Sequence, residues 1–146
     1  MRSGRRIRAW AVVAVAALCA AAGCGPAGPK TYPVRGKVEL AGGDARNLAG
    51  ATVEAAMDAD PSVRASGVIA EDGSFALETL HAGVILKGAR EGTYKARIIL
   101  GDADDDRQAR RRQREALNSK YTKFETSGLS FQVPAEGDVV LKLAPR

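Results

Sequence analysis

One histidine, one tryptophan and two cysteines occur in 146 residues, and aromatic side chains make up only 5% of the chain. Each scarcity removes a class of chemistry. A catalytic zinc centre needs several histidine or carboxylate ligands around a metal with an open position for water, and His81 alone does not build one. Nucleophilic triads are no better supplied, because Ser62, Ser66, Ser74, Ser119, Ser127 and Ser130 share that single histidine and no GxSxG elbow is present. Stacking on sugar rings needs exposed aromatics. Trp10 lies in an N-terminal apolar run, and Phe75, Tyr94 and Phe131 fall where core is expected, which leaves Tyr32, Tyr121 and Phe124.

The N-terminal run itself is the most informative stretch. Arg2, Arg5, Arg6 and Arg8 form a cationic head, Ala9 to Ala22 is unbroken apolar sequence, and small residues lead into Cys24. That order is the order of a bacterial export signal, and the run falls short of the about 20 apolar residues of a membrane span. Residues 1–23 are therefore expected to be a signal helix that is removed. The tetrapeptide AAGC at Ala21 to Cys24 resembles the lipobox of bacterial lipoproteins, whose cysteine thiol is acylated before the signal is cut. The alternative is an ordinary AxA cut nearby, with Cys24 left as a lone thiol in an oxidising compartment. On the lipoprotein reading Cys19 leaves with the signal and Cys24 carries lipid. No disulfide then remains, and the fold depends on its core. Gly25, in place of aspartate, points to the outer membrane under the sorting rule of better-known bacteria. The expected location is the cell envelope, at the outer membrane or the periplasmic face, with the membrane as partner through the anchor.

The formal charge of +5 includes the four arginines of the leader and falls to +1 without them, so it gives no reason to expect nucleic acid. Residues 24–31, CGPAGPKT, have the composition of a lipidated cysteine on a flexible tether. From residue 32 the rhythm changes to a period of two. In YPVRGKVEL, Val34, Gly36, Val38 and Leu40 alternate with Arg35, Lys37 and Glu39, and the inward Gly36 predicts close approach of a neighbouring strand or a bulge. Strands are likewise expected in ATVEAAM, on both sides of the DG at Asp72 and Gly73 in SGVIAEDGSFAL, in GTYKARIIL, in GLSFQVP and in DVVLKLA. ETLHAGVILKGARE reads mostly as loop around a short strand at Val84 to Leu86. Residues 102–120 form a charged insert, acids first and arginines after, which is either a solvated helix or a mobile loop. Domain 32–146 is thus expected to be an all-β sandwich of about seven strands carrying one charged insert.

In order along the chain, PVRGKV at 33–38, AEDGSF at 70–75, GTYKARI at 92–98 and KYTKFETSGL at 120–129 resemble the short lipoproteins of planctomycete bacteria. Those contain a carboxypeptidase regulatory-like, or transthyretin-like, domain. The resemblance covers roughly residues 24 to 143. It implies a seven-stranded, prealbumin-like Greek-key sandwich, exported and lipid-anchored, with no established enzymatic activity; no cofactor is expected.

Three features remain as candidate sites. The acids Asp102, Asp104, Asp105 and Asp106 invite a calcium test, but Arg107 stands where the loop needs glycine and Gln113 where it needs a bidentate glutamate, so no metal is expected. Arg110, Arg111, Arg112 and Arg114 offer a surface for envelope proteins or anionic cell-wall polymer, or else a solvated helix face. Tyr121 and Phe124, beside Lys120 and Lys123, are either a glycan- or small-ligand-binding pair or a packing segment. The role expected is structural or interactive at the envelope and non-catalytic.

Overall fold

A computed structural model describes residues 28–101 and 106–146. The leader, its expected signal helix, Cys24, and the acids Asp102, Asp104 and Asp105 lie outside the described residues. Nine strands are present among the described residues: β1 (Arg35–Leu40), β2 (Thr52–Met57), β3 (Arg64–Val68), β4 (Ser74–Ala76), β5 (Glu78–His81), β6 (Val84–Lys87), β7 (Gly92–Ile99), β8 (Leu129–Val133) and β9 (Val139–Leu143). They form two sheets, a three-stranded one in the order β4-β1-β9 and a six-stranded one in the order β6-β5-β3-β2-β7-β8. The all-β, two-layer expectation holds, with nine strands in place of seven.

The difference lies at β5 and β6, where the sequence predicts mostly loop around a short strand at Val84 to Leu86; that strand is present as β6, and β5 is the one not expected. They pair antiparallel, with Leu80 opposite Ile85 and Thr79 opposite Leu86. Their link is a two-residue turn in which both Ala82 (φ 49°) and Gly83 (φ 79°) have positive φ. That is the backbone of a type I′ hairpin, whose twist matches the strands it joins. The DG turn differs from expectation in the opposite sense. Only Gly73 there has positive φ (82°), and the Gly73 N–H bonds to the Ala70 carbonyl at 3.0 Å while the Ala70 N–H bonds to the Ser74 carbonyl at 2.8 Å, a three-residue loop in place of a two-residue one. It carries the chain from β3 in one layer to β4 in the other.

The period of two gives the core its residues. Val38, Phe75, Leu141 and Leu143 from the smaller sheet face Val53, Ala55, Tyr94, Ala96, Ile98 and Val133 from the larger, all of them buried in one apolar cluster. Gly36 sits where it must be glycine, because a Cβ there would run into the Phe75 ring, 2.8 Å from its Cε1, and into the Val139 carbonyl. Tyr94 stacks on Phe131 at 5.6 Å between ring centres and donates its hydroxyl to the Arg90 carbonyl at 3.0 Å, so the largest core side chain also has its polar end satisfied.

The charged insert contains a helix, α1 (Arg107–Ala116), whose N-terminus is capped by Asp106. Its carboxylate accepts from the backbone N–H groups of Gln108 and Ala109, both at 2.9 Å. The helix is not simply a solvated face, which corrects that alternative. Gln113 is 2% exposed, and just beyond the helix Leu117 is 4% exposed and part of the core. Gln113 receives the Gly101 N–H at 2.9 Å and donates to the Ala49 carbonyl at 2.8 Å. A buried amide with both ends bonded docks the helix where the sequence shows no apolar stripe. A 3-10 turn, Ser119–Thr122, and a single helical turn, α2 (Phe124–Ser127), then lead the chain into β8. No described helix is long and apolar enough to cross a membrane.

Candidate functional site

Tyr121 and Phe124 separate at Lys123, whose extended backbone (φ −128°, ψ 142°) divides the 3-10 turn from α2. Tyr121 turns inward. It is 4% exposed, belongs to the core, and its hydroxyl accepts the Ala144 N–H at 2.7 Å. Its assignment to a binding surface is therefore corrected, because a ring enclosed on both faces cannot stack on a sugar. Phe124 turns outward and stays half-buried over the outer face of the six-stranded sheet, with the Arg97 guanidinium 4.7 Å and the Arg64 guanidinium 5.4 Å from its ring centre.

Beneath that ring lies a charge cluster that the sequence reading missed. Glu54 of β2, Arg64 of β3 and Arg97 of β7 are cross-strand neighbours on one face, in register because Glu54 opposes Arg97 and Arg64 opposes the adjacent Ala56. Arg97 Nε lies 2.6 Å from one Glu54 carboxylate oxygen and an Arg64 terminal nitrogen lies 3.0 Å from the other. Partial burial alone would push the Glu54 carboxyl up. The hydrogen bonds and charges of Arg64 and Arg97 outweigh it and hold the group below its ordinary value. With both carboxylate oxygens and the aromatic face occupied, this cluster is a saturated clamp that fastens α2 to the sheet. The signal was present as Glu54, Arg64 and Arg97 at outward positions of neighbouring strands, but it needed the strand order to be seen.

The arginines of α1 divide by helical position. Arg110 is half-buried and donates to the Gly101 carbonyl, and Arg111 pairs with Glu115 four residues on, at 2.8 Å. Arg112 and Arg114 are exposed, Arg112 beside Asn47 and Glu115. Arg114 also offers its backbone carbonyl to the Arg146 side chain at 3.3 Å. Two of the four thus serve the helix itself, while Arg112 and Arg114 present their side chains outward. His81 is exposed at the end of β5. Among the described residues no group of three or more His, Cys, Asp or Glu side chains is placed to hold a metal ion.

An open depression of about 740 Å³ is lined by residues that include Lys37, Leu40, Asp44 and Asp72. Its carboxylates are those of Glu39, Asp44 and Asp72, and the last two are engaged in local turns. Asp44 accepts the Arg46 N–H at 2.9 Å, and Asp72 accepts the Ser74 N–H and hydroxyl at 2.9 and 2.6 Å.

The most exposed apolar surface lies on the β5–β6 hairpin. Leu80 is 71% exposed, Ile85 65% and Val84 58%. Leu80 and Ile85 share one face of the hairpin, while Val84 and the half-buried Leu86 share the other. Close by runs the segment that leads back toward Cys24. Tyr32 and Ala89 exchange backbone hydrogen bonds of 2.8 and 3.0 Å, and a Cβ on Gly28 would touch the Leu86 side chain at 3.6 Å. No family model, curated protein or solved structure matches the chain.

Proposed function

We propose that this chain is a non-catalytic, lipid-anchored protein of the bacterial cell envelope, with a structural or protein-interaction role. The observation that carries the reading is the order of the N-terminal sequence: the cationic head of Arg2 to Arg8, the apolar run Ala9 to Ala22, and AAGC ending in Cys24. A folded β-domain follows after only a few residues, since Tyr32 already bonds to Ala89. Such a chain has a short leash between its anchor and its fold. The finer fold proposed with it is the transthyretin-like, carboxypeptidase regulatory-like sandwich. Support comes from where the four resembling segments fall: PVRGKV leads into and forms β1, AEDGSF makes the crossing into β4, GTYKARI is β7, and KYTKFETSGL runs through α2 into β8.

Metabolic labelling with a fatty-acid analogue tests the anchor. The wild-type chain should be labelled and the Cys24→Ala chain should not. Equal labelling of the two would remove the lipoprotein reading.

A further inference from the structure

We propose that the β5–β6 hairpin is a second membrane contact, lying in the bilayer interface beside the lipid anchor through Leu80, Val84 and Ile85. This rests on the lipid attachment at Cys24 proposed above.

The argument is one of reach. Gly28 lies against Leu86 of β6, and four peptide units separate its Cα from that of Cys24. A fully extended chain advances at most about 3.6 Å per residue, so the Cys24 Cα stays within about 14 Å of Gly28 whatever path the intervening residues take. A diacylated cysteine sits at the membrane surface, and β6 is therefore held close to that surface.

From Leu86 the hairpin runs only three residues to its tip at Gly83, about 10 Å at the rise of a strand. Over that distance its side chains are Val84 and Ile85, with Leu80 opposite Ile85 and the exposed His81 opposite Val84. The three apolar side chains are mostly exposed. The Ala82–Gly83 turn between the strands adds no charge.

A finger that exposes Leu80 and Ile85 on one face and Val84 on the other, with His81 its one polar tip residue, is an unusual thing to show to water, and such patches mark contacts with a partner or a lipid surface. β6 is also an edge strand without proline, and its one charged residue is Lys87 at the base. A second copy could therefore pair along it. The tether decides between these occupants. A lipid surface is brought within reach of the hairpin by the covalent chain itself. A second copy is not.

The test uses the lipidated chain purified from envelope and reconstituted into phosphatidylethanolamine–phosphatidylglycerol vesicles. Once the leader is removed no native tryptophan remains, since Trp10 is the only one. Ile85→Trp and Leu80→Trp then serve as reporters in separate chains, with Val140→Trp, on the outer face of the three-stranded sheet, as control. The hairpin reporters should shift to blue emission in vesicles and lose most of their intensity to lipids brominated on the acyl chain. The control should do neither.

Hairpin reporters that keep the emission of water-exposed tryptophan, in chains whose Cys24 carries its acyl groups by mass spectrometry, would overturn the proposal and leave the anchor standing. A blue shift that the brominated lipids do not quench, with copies crosslinking through the hairpin, would assign the surface to a second copy and overturn it equally. An unmodified Cys24 in the same sample would show that the anchor reading had failed, and this inference with it.

Discussion

Replacing Gln113 by leucine measures how firmly the charged helix is part of the fold. The side chain is 2% exposed, and its amide is the sole link shown between the Gly101 N–H and the Ala49 carbonyl. Leucine keeps much of the volume and removes both bonds. A buried backbone group left without a partner costs about 1–3 kcal/mol. Gly101 and Ala49 are only half-buried, so water reaches each in part, and the lower half of the summed range applies. The expected loss is about 2–4 kcal/mol. With a urea m-value of about 2 kcal/mol/M, the middle of the range for small domains, the unfolding midpoint should fall by about 1–2 M at unchanged m. Arg112→Ala, on the exposed side of the same helix, should stay within about 0.5 kcal/mol of wild type. Far-UV circular dichroism across a urea series reads both variants. A Gln113→Leu midpoint indistinguishable from that of Arg112→Ala would refute the docking argument and return the helix to the role of a solvated appendage.

The Glu54 clamp predicts an acid limb to stability. Its folded pKa lies below its ordinary value of 4.5, so its contribution is fully present above that value and is lost as pH falls through the folded pKa. Glu54→Gln should flatten the pH dependence of the thermal midpoint in that window, and a slope equal to wild type would count against the clamp. At the hairpin tip, Ala82 holds φ at +49°, which costs an L-residue about 1–2 kcal/mol and glycine almost nothing. Ala82→Gly should therefore stabilise the chain by about 0.5–1 kcal/mol after glycine's own entropic cost, measured by the same urea titration. A destabilised variant would mean that the turn does not take the positive-φ form.

The parts of the fold that the sequence revealed are those with one wet face and one dry face. β1, β7, β8 and β9 alternate, and their inward residues are buried, save Leu40 and Phe131, which are half-buried. Of the β5–β6 hairpin only a short strand at Val84 to Leu86 is legible, because Leu80 and Ile85 on one side, and Val84 and Leu86 on the other, leave no alternation to detect. Gln113 hid for a different reason. A glutamine in a run of arginines reads as solvent-facing, and only backbone partners 12 and 64 residues away explain its burial. The pairing of Tyr121 with Phe124 rested on their closeness in sequence alone. That fails when Lys123 between them is extended. Glu54, Arg64 and Arg97 were readable as outward residues but not as neighbours, because strand order is set by long-range pairing that a period of two does not encode.

The parallel pairing of the first and last strands governs how the domain answers to tension. The chain enters the β1–β9 ladder at Gly36, opposite Val139, and leaves it at Leu143, opposite Leu40, so its two ends depart from opposite ends of a five-pair ladder. A pull between the two ends of the domain runs along these strands and strains every rung at once, instead of peeling them apart singly. A protein fastened at one end and held at the other would yield last at this seam.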